Sequence, residues 1–173
     1  MIKLLILDVD GVLTDGKKYY DNTGLAKYKT FCDKDFSAIK KFKSAGVKVI
    51  FLSGDTNINE SIAKNRSIDF YASRSVCKSA FINIFKNTYN ILSEEMCYVG
   101  DDIFDLSIMK AVGYSFCPSD AVKTIRKYCC GNILDRVGGD NCIDKLFDEC
   151  ESRNIIPPFN EELFYNLDKD DKF

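Results

Sequence analysis

Short continuous apolar runs alternate along the chain with stretches whose apolar residues recur at helical spacing. Residues 2–7, 47–52, 70–72, 96–99 and 114–117 read as buried strands, each closed by glycine, proline or acidic residues. Between them, residues 35–44 place Phe36, Ile39 and Phe42 on one helical face, with Gly46 as a stop. Residues 57–66, 78–91, 103–111, 121–128 and 143–150 are the further helix candidates. One stretch breaks the alternation: residues 17–20 and 27–31 flank Asp21-Asn22-Thr23-Gly24, which predicts a β-hairpin leaving the end of the first strand. Alternation of this kind implies an α/β fold of three layers around a mainly parallel sheet. From Arg153 onward, Pro157-Pro158 and a charged end predict a loosely held extension, so the expected organisation is one domain over 1–152 followed by 153–173.

Composition narrows what this domain can do. At 173 residues, 46% hydrophobic and 29% charged, the chain suits a single soluble domain. Its net charge of −2 supplies no field to gather nucleic acid or an anionic membrane. The run 2–7 is too short, and carries Lys3, for a signal core or a membrane span. Eight cysteines without a CxxC pair read as small core residues of a cytoplasmic protein. Histidine is absent, which removes histidine zinc ligands, Ser-His-Asp triads and histidine bases together. Acid–base chemistry falls to carboxylates, lysines or tyrosines.

The carboxylates are concentrated at strand ends. The first strand runs into Asp8-Val9-Asp10-Gly11-Val12-Leu13-Thr14-Asp15-Gly16, at the edge where open α/β sheets bind ligands. Acids at i and i+2 on extended chain face one side and repel unless a cation or shared proton relieves them. Taken alone, the pair equally fits a strand end capped by solvated acids. The second strand ends in Ser53-Gly54, able to donate to a phosphoryl oxygen, although such a pair is commonly only a turn. A later strand ends in Gly100-Asp101-Asp102-Ile103-Phe104-Asp105, which by itself fits an acidic helix start. Lys78 opens a helix, where a cation is disfavoured by the dipole; Lys86 is its rival as a site lysine. Together these supply what phosphoryl transfer needs: a nucleophile, ligands for Mg²⁺, donors and a proton source.

In this order the motifs resemble those of the haloacid dehalogenase (HAD) phosphatase superfamily, over about residues 2–150. The resemblance implies a HAD-type Rossmann-like fold in which Asp8 forms an aspartyl-phosphate and Asp10 is the general acid and base. It further implies Mg²⁺ held by the carboxylates of Asp8 and Asp101 and the main-chain carbonyl of Asp10. Ser53, Gly54 and Lys78 would bind the phosphoryl oxygens; Asp102 would orient a metal-bound water or Lys78, with Asp105 in a minor supporting role. The segments between Asp10 and Ser53, and between Ser53 and Lys78, are too short for a cap domain. The chain thus resembles the capless subgroup that includes 3-deoxy-D-manno-octulosonate 8-phosphate and nonulosonate 9-phosphate phosphatases. That implies a phosphorylated acidic sugar of cell-surface carbohydrate (lipopolysaccharide) biosynthesis as substrate, and a homotetramer in which the exposed hairpin is an interface element. Asp55 stands where the subgroup has an arginine, Arg66 and Arg74 are the candidates for a second arginine about a helix length further on, and Asp35-Phe36 replaces an Asp-Gly. An eight- and a nine-carbon acid both stay open. Two other readings compete: a signalling receiver domain, disfavoured by the position of the acids, and a catalytically silent HAD-like oligomerisation module of sugar-nucleotide synthesis.

Overall fold

A computed structural model describes residues 1–169; residues 170–173, the end of the expected extension, lie outside the described residues. The fold is built on five parallel strands in the order β5-β4-β1-β6-β7. These are β1 (Leu4–Leu7), β4 (Lys48–Ser53), β5 (Asp69–Ala72), β6 (Met96–Val99) and β7 (Tyr114–Phe116). A separate hairpin pairs β2 (Tyr19–Tyr20) with β3 (Ala26–Tyr28). The helices are α1 (Asp33–Ser44), α2 (Asn57–Asn65), α3 (Phe81–Tyr89), α4 (Leu106–Met109), α5 (Lys123–Tyr128), α6 (Cys142–Ser152) and α7 (Glu161–Lys169).

Every side chain of β1 is buried, which is why its sequence is a continuous apolar run. Leu5 and Leu7 face a core made with Phe36, Ile39 and Phe42 of α1 and Ile143, Leu146 and Phe147 of α6. Leu4 and Ile6 face the opposite core, with Phe81 and Phe85 of α3, Met109 of α4 and Ile125 of α5. Two residues of strand period thus serve two helical layers, and each fully buried leucine or isoleucine contributes roughly 1.5–3 kcal/mol. The register pairs Leu7 with both Phe51 and Val99, so β1, β4 and β6 end nearly level. That levelling brings Asp8, Ser53 and Gly100–Asp101 to one edge.

Several elements differ from the sequence reading. The helix expected over 78–91 starts as a 3₁₀ turn, Lys78–Ala80, before α3, and Asn90 ends it at φ +53°. The helix expected over 103–111 is a 3₁₀ turn, Ile103–Asp105, followed by the short α4. Local side-chain capping causes this: Asp102 accepts from the Ile103 amide, and Asp105 accepts from the amides of Asp101 and Asp102. The segment after Arg153 is more firmly attached than expected. The Ile2 amide donates to the Ile155 carbonyl at 2.7 Å, Ile156 is buried, and Phe159 packs edge-on to Phe147 and Phe164. Lys40 of α1 pairs with Asp168 of α7 at 2.6 Å. Apolar residues on both sides of the proline pair outweigh the charged composition.

Candidate active site

After Leu7 the chain folds into a tight loop fastened to itself. The amides of Leu13 and Thr14 donate to the Val9 carbonyl at 2.9 and 3.1 Å. The buried Thr14 hydroxyl accepts from the amides of Gly11 and Gly16. Gly11 has φ +78°, and a Cβ there would strike the Asp101 carboxylate, so only glycine lets these two strand ends meet. Gly100 plays the matching part on β6, where a Cβ would strike the carboxylate of Asp105.

Asp8 and Lys78 form the buried centre. Lys78 Nζ donates to Asp8 Oδ2 at 2.8 Å, to the Tyr98 hydroxyl at 2.8 Å and to Asp105 Oδ1 at 2.6 Å. Its three N–H bonds are therefore all engaged. Tyr98, fully buried on β6, donates in turn to Asp105 at 2.6 Å. Burial pushes the Tyr98 phenol far up, with the Asp105 charge adding to it, so it stays a donor. Burial also pushes Asp8 up, against the pull of the Lys78 ammonium. Asp101 is pushed up to about 8 by burial and then by Asp8 and Asp105. For Lys78, burial works downward and is outweighed by Asp8 and Asp105, so it is held above the usual lysine value.

Asp10 belongs to a second cluster. Lys29, whose side chain has no exposure at all, donates to Asp10 Oδ2 at 3.0 Å, Asp55 Oδ2 at 2.9 Å and Asn59 Oδ1 at 2.8 Å. Asp10 Oδ1 lies 2.7 Å from the same ammonium as an ion pair without hydrogen-bond alignment, and accepts no hydrogen bond. The Asn59 amide donates to Asp10 Oδ2 at 3.1 Å and to Ser53 Oγ at 3.0 Å. Lys18 reaches Asp55 at 2.8 Å. Burial raises Asp55, but the hydrogen bonds from Lys18 and Lys29 outweigh it and hold the carboxyl at about 2.

A cleft of about 1140 Å³ opens over both clusters, lined by Asp8, Asp10, Ser53, Gly54, Asp101 and Asp102 together with Lys18 and Tyr20 of the hairpin and Arg74. The site residues read from the sequence thus converge, with corrections. Lys78 is at the centre, whereas Lys86 is exposed on α3. Asp102 does not hold Lys78: its carboxylate caps Ile103, and Asp105, expected in a minor role, is the fully buried partner instead. The hairpin presents Tyr19, Tyr20 and Tyr28 to solvent, yet its lysines 18 and 29 turn inward. Lys18, Lys29, Asn59 and Tyr98 were missed by the sequence reading; the only local signal was the apolar run that buries Tyr98.

Carboxylate oxygens of Asp8, Asp101 and Asp105 lie within 4.8 Å of one another. Asp105 is committed to Lys78, Tyr98 and two amides, which leaves Asp8 and Asp101 as the pair facing the cleft. Two crowded carboxylates with raised proton affinity, all-oxygen donors and no histidine suit a hard divalent cation. Among the described residues no helix is long and apolar enough to cross a membrane.

No protein-family model matches the chain. It is 33% identical over 152 residues, 85% of its length and 81% of the relative's, to 3-deoxy-D-manno-octulosonate 8-phosphate phosphatase of Haemophilus influenzae. A protein from Legionella pneumophila, assigned to the HAD superfamily (subfamily III A) of hydrolases, superposes with a TM-score of 0.83 at 28% identity, over 98% of this chain and 90% of that one. The cobalt-bound form of deoxy-D-mannose-octulosonate 8-phosphate phosphatase from Haemophilus influenzae superposes at 0.80 and 30% identity, over 88% and 90%. On these matches the chain is a phosphatase, and it belongs to the 3-deoxy-D-manno-octulosonate 8-phosphate phosphatase family of the haloacid dehalogenase superfamily.

Proposed function

We propose that this phosphatase hydrolyses the phosphomonoester of an eight- or nine-carbon acidic sugar in cell-surface carbohydrate synthesis, through an aspartyl-phosphate on Asp8. The relative's name favours the eight-carbon acid. The observation that carries the mechanism is the contact of Asp8 with Lys78 at 2.8 Å, in a cleft that Asp10 also lines. An Asp8 oxygen attacks phosphorus, the bond to the sugar oxygen breaks, and Asp10 gives that oxygen a proton. Water then attacks the aspartyl-phosphate, Asp10 takes its proton, and the phosphorus–Asp8 bond breaks to release inorganic phosphate. Ser53 Oγ accepts from Asn59 and from the Asp55 amide, which leaves its own hydrogen and the Gly54 amide to donate to the phosphoryl oxygens. Lys78 offsets charge on Asp8 and the phosphoryl group.

Asp8, Asp101 and the Asp10 carbonyl would hold Mg²⁺, which supplies charge neutralisation at the phosphoryl oxygens. A homotetramer is supported by the exposed hairpin tyrosines, 55%, 63% and 72% accessible at Tyr19, Tyr20 and Tyr28. The cytoplasm as its location is supported by eight free cysteines, five of them buried. The test is phosphate release from a panel of sugar-acid phosphates, simple sugar phosphates and nucleotides, with Mg²⁺ or EDTA. A strong Mg²⁺-dependent preference for one sugar acid is expected; equal rates on nucleotides would refute the substrate class.

A further inference from the structure

The scheme above gives Lys29 nothing to do, yet its ammonium is as fully committed as that of Lys78. It arrives from the hairpin, just beyond β3, where neighbouring Tyr28 is exposed, but its own side chain is entirely buried. Its three hydrogen bonds go to three different parts of the fold: Asp10 after β1, Asp55 after β4 and Asn59 in α2. A charge buried among partners on three elements is triangulated, and leaving any of them unpaired carries a penalty. Asp10 is the beneficiary. Its carboxylate accepts hydrogen bonds from Lys29 and Asn59, with Lys18 as a longer ion pair at 3.9 Å and no hydrogen bond from its own loop to that side chain among the described contacts. Without the ammonium, Asp10 and Asp55 would be left with Lys18 alone as a cation among the described contacts, and it lies 2.8 Å from Asp55 but 3.9 Å from Asp10, too far to hold the Asp10 carboxylate by a hydrogen bond. Acid–base groups lose effect steeply when displaced by an ångström.

We propose that Lys29 is a positioning residue for Asp10, so that proton delivery to the leaving oxygen depends on the hairpin being seated. This rests on the reading of Asp10 as the proton donor. A lysine that merely clipped the hairpin down would affect every substrate alike. A lysine acting through Asp10 affects those whose leaving group needs the proton.

The experiment compares kcat/KM, which reports the transfer step, for p-nitrophenyl phosphate and glycerol 2-phosphate, using the full chain with Mg²⁺. The aryl oxide departs unaided; the alkoxide does not. Lys29→Met is expected to lower kcat/KM at least about thirtyfold for the alkyl ester and less than about threefold for the aryl ester. Lys29→Gln, which keeps part of the hydrogen bonding and guards against a variant that does not fold, is expected to show the same split in smaller measure. Lys29→Met added to Asp10→Asn is expected to cost nothing further, since the two act as one unit. Equal losses on both esters, or unchanged rates, overturn the proposal. If Asp10→Asn itself fails to discriminate between the esters, the acid–base reading falls and takes the proposal with it. Discrimination by Asp10→Asn but not by Lys29→Met overturns the proposal alone.

Discussion

Lys78 and Lys29 each give three hydrogen bonds beside the same cleft, Lys78 to buried acceptors and Lys29 to the half-buried Asp10 and Asp55 and the buried Asn59, and they are mounted differently. The partners of Lys78 are Asp8 after the central strand, Tyr98 within β6 and Asp105 in the turn that follows. Those elements are cemented by the two cores. Lys29 comes from a hairpin of two short strands with solvent-facing tyrosines, held over the site largely by charge. The same device is permanent in one place and conditional in the other. The surroundings of Asp8 are built into the sheet and its cores, whereas those of Asp10 include a lysine carried by the hairpin.

The largest test of that contrast lies on the permanent side. Asp8→Asn is expected to cut turnover at least about a thousandfold while circular dichroism and elution volume stay unchanged. Surviving activity would remove the nucleophile from the Lys78 cluster. Next comes stability. Lys78→Met strands Asp8 and Asp105 as buried charges and should cost about 3–5 kcal/mol in urea unfolding. Lys29→Met should cost less than about 2 kcal/mol, because the hairpin can lift and let water reach Asp10 and Asp55. Equal costs would break the comparison.

Asp35 sharpens it from outside. This buried carboxylate accepts from the amides of Ile143 and Asp144 in place of an ammonium. Burial pushes it up to about 6, against those two amides. The folded value exceeds the unfolded one, so the folded state binds the proton more tightly. Its contribution to stability is therefore full below about pH 4 and declines as pH rises to about 6, by at most about 3 kcal/mol. Wild type minus Asp35→Asn stability should be more favourable at pH 4 than at pH 7. A flat difference would show that amides alone can do what the lysines do. Smallest is Tyr98→Phe, which leaves one Lys78 N–H without its acceptor and should cost about 1–2 kcal/mol. No loss would mean that Lys78 needs only its two carboxylates.

The sequence displayed the permanent half of this arrangement and concealed the conditional half. Asp8, Ser53 and Asp101 could be read because each lies within two residues of the end of an apolar run that has to be a strand, which fixes them to one edge. Lys29 could not. It sits among Lys17, Lys18 and Lys27 in a polar hairpin, and its partners Asp10, Asp55 and Asn59 meet it only through the tertiary fold. Asp105 was visible as part of an acidic run, but its burial, and so its precedence over Asp102, depends on Gly100 making room. Helix α7 was obscured by composition, although Phe159, Phe164 and Leu167 carried an apolar pattern.

The central position of β1 also has a consequence in time. It precedes both of its strand partners in the chain, and neither edge is paired until β4 and then β6, which ends at Val99, have been made. At ~5–20 residues per second on the ribosome, its all-apolar Leu4–Leu7 run waits several seconds for a partner. The Ile2 amide waits longer, for the Ile155 carbonyl. Sheet formation around β1 is thus a long-range event, completed only after the segment through Val99 is available.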